Sequence, residues 1–263
     1  MKQKKSILNY FNKRKKAINA LLAKPDNRYE AKYFHDLRVE IKKVRALAVM
    51  LESSAKKFNS SKAVRPIKKI FDQAGKVREL QLELAMIRKH DPSHSFRAYP
   101  HILRMKTNEE IKKFSLLHNK SSRVKKTFSQ ITPAIKNINK GDLNHYVRKG
   151  KNQIAALVKT KQIKAKKVHE LRKSLKKLYY NLKSLHQADN SKPYKNGEAL
   201  QELMGQWHDK RVMNRHLIKA ADANSAGPVE SDALMQIADK LFIQSRMLNR
   251  KINKEKKKQL FVA

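Results

Sequence analysis

A chain of 263 residues can form one large helical domain or two packed halves, and its 62 Lys and Arg against 22 Asp and Glu leave a formal net charge of +40. That excess of one sign exceeds any solubility requirement and implies a polyanionic partner, because a bound counter-anion stabilises the native state by linkage. With no cysteine, a disulfide framework and a thiolate metal site are excluded, and no apolar run approaches the ~18 residues of a membrane span.

Apolar residues recur at three and four throughout, and no segment alternates with period two, so the expected fold is all-α with no sheet. The first helix is expected over 5–24. Its basic start is interrupted by Asn9, Asn12, Lys13 and Arg14, which makes it an amphipathic helix rather than a secretory signal; the expected location is cytoplasmic. After a break at Pro25-Asp26-Asn27 come helices over 29–58, 61–74 and 77–90, the last two separated at Gly75. Pro66 would suit a first turn if its helix began later. The stretch from Asp91 to Asn108 reads as an irregular connection. Helices then follow over 108–130, 142–160, 163–188, 197–206, 209–221 and 230–256. The breaks fall at Thr132-Pro133, Gly141, Ala188-Asp189-Asn190 and Asn224 to Pro228, with Gly205 ending the helix before 209–221. The stretch from Lys251 is expected to fray into a basic tail over 257–263.

Two of these helices carry the same motif. Phe34-His35-Asp36-Leu37-Arg38-Val39-Glu40-Ile41-Lys42-Lys43-Val44-Arg45 is echoed, 134 residues later, by Val168-His169-Glu170-Leu171-Arg172-Lys173-Ser174-Leu175-Lys176-Lys177-Leu178-Tyr179. Downstream the echo continues at an offset of 130: Ser61-Lys62 matches Ser191-Lys192, Arg65 matches Lys195, Ile70 matches Leu200 and Gly75 matches Gly205. Duplication of this kind implies two pseudo-symmetric four-helix-bundle halves, about 5–132 and 142–256, with an extra terminal helix.

On a helical wheel His35, Arg38, Lys42 and Arg45 share one face about 80° wide, opposite a core stripe of Leu37, Ile41, Val44, Ala48 and Leu51. His169, Arg172, Lys176, Tyr179 and Lys183 repeat the arrangement opposite Leu171, Leu175, Leu178, Leu182 and Leu185. Like charges three and four apart repel by a few tenths of a kcal/mol per pair, so aligning them twice calls for an anion between them. Arg can grip phosphate oxygens bidentately, Lys supplies mobile charge, and Tyr179 adds a hydroxyl. An imidazole beside phosphate favours protonation and then donates twice. Further basic lining is expected from Arg65, Arg78, Lys195, His208, Arg211 and Arg215. Glu79 and Asp209 fall at matching places, either buttressing basic side chains or serving as helix N-terminal carboxylates. Trp207 reads as core or groove wall.

The two His-x-x-Arg-x-x-x-Lys helices, with the Gly75–Leu82 and Gly205–Met213 segments, resemble the CHAD family (conserved histidine α-helical domain) over roughly 5–256. The resemblance implies a single domain built around a basic channel that binds inorganic polyphosphate, with association at polyphosphate granules. It implies phosphate-binding roles for His35, Arg38, Lys42, Arg45, His169, Arg172 and Lys176. Here Tyr179 replaces the Arg of the first copy, Glu79 and Gln81 replace two Asp of the second signature, and His208 replaces its Arg. No β-rich, Glu-studded segment precedes the motif, so the triphosphate-tunnel (CYTH) domain fused to some members is not expected.

The alternatives are a nucleic-acid binder using the same surface and a weak phosphoanhydride hydrolase. The hydrolase lacks support: Asp36/Glu40 and Glu79/Glu83 are isolated i,i+4 pairs, and no Walker loop, Gly-x-Gly-x-x-Gly or His-Glu-x-x-His occurs. No cofactor or metal is expected. Aromatic content is low for base stacking, although a +40 chain should bind RNA or DNA non-specifically at low salt. Charge does not reveal chain-length preference or oligomeric state.

Overall fold

Three-and-four apolar spacing produces helix at almost every position where it occurs. The computed structural model describes residues 2–24, 29–91, 95–117, 119–160, 163–185 and 195–258. Among them are nine helices and no strand. In chain order these are α1 (Lys2–Leu22), α2 (Ala31–Glu52), α3 (Ser60–His90), α4 (Ala98–Ser115), α5 (Lys120–Lys136), α6 (Lys140–Lys159), α7 (Ala165–Leu185), α8 (Lys195–Asp222) and α9 (Pro228–Lys258). The breaks expected at Pro25-Asp26-Asn27 and Ala188-Asp189-Asn190 lie outside the described residues, as do Pro92-Ser93 of the expected connection, Ser191-Lys192 of the repeat and the end of the tail from Gln259.

Several expected boundaries are corrected. Gly75 and Gly205 end no helix: α3 and α8 each run straight through. A glycine inside a helix costs about 1 kcal/mol relative to Ala, which long apolar faces on both sides offset. Pro66 and Pro133 likewise lie inside α3 and α5 rather than at their starts or breaks. The supposed connection after Asp91 contains the beginning of α4, and the single helix expected over 108–130 is two helices. The break before α5 is made by Asn119, whose left-handed backbone (φ 58°) the helix cannot absorb. The end of α9 is also not frayed: Ile252 is buried, Asn253 accepts the Ile163 N–H at 3.0 Å, and the buried Lys256 donates to the Thr160 carbonyl. At the α8–α9 turn, Asn224 and Gly227 take positive φ and Pro228 opens the next helix, where its missing N–H costs nothing.

The chain divides into two compact units, each drawing on both sequence halves. Unit 1 comprises Met1–Arg78, Lys112–Ile154 and Ser174–Tyr194; unit 2 comprises Glu79–Ile111, Ala155–Lys173 and Lys195–Ala263. In unit 1 the fully buried α2 stripe of Phe34, Leu37, Ile41, Val44 and Leu51 accompanies Ile7, Phe11 and Ile18 of α1. Phe11 meets Phe128 of α5 edge-on at 5.3 Å. Each such side chain contributes roughly 1.5–3 kcal/mol by burial. Unit 2 has its core where Leu217 and Ala221 of α8 join Leu234, Ala238 and Leu241 of α9, with Ile87, Tyr99 and Leu103.

Candidate anion-binding site

Burial of the α2 stripe orients the opposite face. His35 and Arg45 are exposed, and Arg38 and Lys42 are half-buried. Arg38 does not stand free. Its Nη1 donates to the Phe71 carbonyl of α3 at 2.7 Å, and its guanidinium lies over the Phe71 ring at 4.2 Å. Arg45 at 4.8 Å and Lys42 at 6.0 Å are drawn to the same ring. One aromatic quadrupole thus collects three cations of the motif. Gly75, one turn beyond Phe71, makes room: a Cβ there would stand 2.1 Å from Arg38 Nη1. This is why a glycine occupies the middle of α3.

His35 has its pKa lowered, first by burial and then by the charge of Arg78, with Lys42 and Lys176 adding to the effect against Asp36. These groups belong to α2, α3 and α7, so in unit 1 a lysine of the second motif acts on the histidine of the first. The position of α7 there is secured by buried Asn181, whose amide donates to the Ala46 carbonyl of α2 (3.0 Å) and the Tyr146 hydroxyl of α6 (2.7 Å). Tyr179 carries Lys183 over its ring at 4.5 Å.

The remainder of the second motif lies in unit 2. His169 stacks on His208 with ring centroids 5.2 Å apart and planes 33° apart. Burial lowers its pKa first, then Lys173 and Arg172, against Glu170. The Nε of Arg172 is buried and finds no acceptor among the described residues. Trp207 is buried, as core or wall, and takes the Arg211 guanidinium at 5.4 Å. Arg215 is exposed beside His216. Arg65 lines a separate cleft between α3 and α5, and the side chain of Lys195 lies outside the described residues.

The acidic residues have other work. Glu40 pairs with Arg14 (3.2 Å) and Lys43 (2.7 Å). Glu83 is buried, accepts the Tyr99 hydroxyl at 2.5 Å and meets His216 Nδ1 at 2.9 Å. That bond raises the His216 pKa over the opposing effect of burial, with the charges of Glu83 and Glu79 in support. Glu79 and Asp209 are mid-helix, which excludes the helix N-terminal role for both. Among the described residues no three His, Cys, Asp or Glu side chains converge to hold a metal ion.

Sequence reasoning missed Phe71 and the Tyr99–Glu83–His216 chain. Phe71 precedes Gly75 by one helical turn, and that spacing becomes a signal only once Gly75 is known to be helical. Glu83 and His216 are 133 residues apart, and the local i,i+4 pairing of Glu83 with Glu79 does not point to His216.

By class this is an all-α cationic protein whose two motif histidines, His35 and His169, stand beside Arg and Lys, while His216 is held by the Glu83 carboxylate. The profile of the CHAD domain matches residues 14–218, and the chain belongs to the CHAD family. A comparison with curated proteins found no match. No helix among the described residues is long and apolar enough to cross a membrane.

Proposed function

We propose that this protein binds inorganic polyphosphate through the faces of its two His-x-x-Arg-x-x-x-Lys helices. CHAD domains are non-catalytic polyphosphate-binding modules. The observation that carries the reading for this chain is the set of charges on His35: Arg78, Lys42 and Lys176, from three helices and both motif copies, act on one imidazole. Asp36 acts against them, and a bound anion would add to that counter-charge. A phosphate would offset the neighbouring cations that, after burial, lower the His35 pKa, convert His35 to a double donor and engage Lys42 and Arg45 beside it. The unsatisfied Nε of Arg172 is a further donor awaiting an acceptor.

Polyphosphate suits this chemistry better than nucleic acid. Phe71 carries Arg38 and Arg45 over its ring, Tyr179 carries Lys183, and Trp207 is buried, so a base would compete with these cations for the rings. In this reading the sequence halves form a basic channel, and the protein operates in the cytoplasm at polyphosphate granules. Replacing His35, Arg38, His169 and Arg172 together by Ala should remove the polyphosphate binding that depends on the histidine faces, read as a loss of affinity, while leaving the helical circular dichroism intact. A folded quadruple variant that binds as tightly as wild type would refute the assignment.

A further inference from the structure

In unit 1 a cleft between α3 and α5 has a cationic lining. On α3, Lys62, Arg65 and Lys69 follow one another at three and four; on α5, Arg123 and Lys126 do the same. Between them is an open cleft of about 740 Å³ with no carboxylate and no aromatic ring in its lining. Lys68, at its edge, is the lining lysine that pairs with Asp72 (2.8 Å). Like charges three and four apart on one helix repel, so Lys62, Arg65 and Lys69 line up along the cleft at a small cost that a bound anion would relieve. The start of α5 adds to the field: Asn119 makes no side-chain cap and the first turn has no acidic residue, leaving the positive end of the helix dipole uncompensated beside Arg123.

We infer that the α3–α5 cleft is a second polyphosphate site, distinct from the histidine site. Arg65 and Lys69 lie on average about 130° round α3 from Phe71, Gly75 and Arg78, so the two sites occupy different faces of one helix. The absence of an aromatic ring favours a bare chain of phosphates over a nucleic acid, which would have no surface on which to stack. The ligand's identity rests on the function proposed above; the existence and position of the cleft do not. A protein with phosphate sites on two faces of a helix can hold two chains, or two segments of one chain, at once.

The test is calorimetric titration with size-fractionated short-chain polyphosphate, using wild type, the quadruple His35/Arg38/His169/Arg172 alanine variant, and a triple variant Arg65→Glu, Lys69→Glu, Lys126→Glu. The three substituted positions are exposed, and circular dichroism checks that the variant folds. Wild type should saturate with one more chain per protein than either variant. The inference is overturned if the triple variant binds with wild-type stoichiometry, or if polyacrylate of matched charge displaces the chain held by the quadruple variant as readily as polyphosphate does. Equal displacement of that chain by RNA would also overturn it, making the cleft a nucleic-acid site. If instead the triple variant loses a site while the quadruple variant loses none, the cleft stands and the histidine assignment fails.

Discussion

Arg38 is held at two points on one stretch of α3, by the Phe71 carbonyl and by the Phe71 ring, and Gly75 is the residue that permits it. Gly75→Ala adds a methyl group where the guanidinium sits. The helix gains about 1 kcal/mol of propensity and loses a hydrogen bond of about the same worth, so stability should change little. Polyphosphate affinity should nevertheless fall about tenfold, because a positioned Arg becomes a wandering one. Gly205→Ala is the control: nothing lies within 4 Å of its missing Cβ, and thermal denaturation should show stabilisation of about 0.5–1 kcal/mol. The histidines carry a pH signature. Burial and neighbouring cations lower the His35 and His169 pKa values in the free protein, and a bound phosphate raises them, so binding takes up protons. Affinity should therefore rise as pH falls from 8 towards 6, and His35→Ala with His169→Ala should flatten that dependence.

At the scale of helices, α4 depends on a residue far along the chain. The Glu230 carboxylate of α9 accepts the backbone N–H groups of Arg97, Ala98 and Tyr99, each at 2.8 Å, and so caps the start of α4. Burial pushes the Glu230 pKa up, but the three bonds outweigh it and hold the carboxyl below its usual value. A depressed carboxylate pKa stabilises the fold above the unfolded value and loses that contribution as pH falls through the folded one. Glu230→Gln should cost about 1–2 kcal/mol at neutral pH in denaturant titration, and the difference should shrink in acid. This long-range cap explains why α4 was illegible in sequence: Asp91 to Asn108 contains no local start signal, and its capping residue lies more than 130 positions away. Helices α2 and α7 were legible because their core stripes are regular and their polar faces repeat. Gly75 was misread as a stop because a glycine's letter does not show the Arg38 packed against it. Phe71 was missed for a related reason: an aromatic residue within an apolar-periodic helix looks like core.

At the scale of the whole molecule, a formal charge of +40 disfavours compactness and attracts any polyanion at low salt. Membership of the CHAD family is consistent with a polyanion-binding role in general, and in the proposed reading the two motif copies give that charge a focus. The distinction that matters is between a dedicated phosphate-chain site and a general polycation. It is tested most directly by titrating wild-type protein with long-chain polyphosphate, against RNA and duplex DNA at matched phosphate concentration, in roughly 0.15 M and 0.5 M salt. Binding that stays tight at the higher salt and resists both competitors is the predicted result. Equal competition by RNA or DNA, with all ligands released together as salt rises, would contradict it.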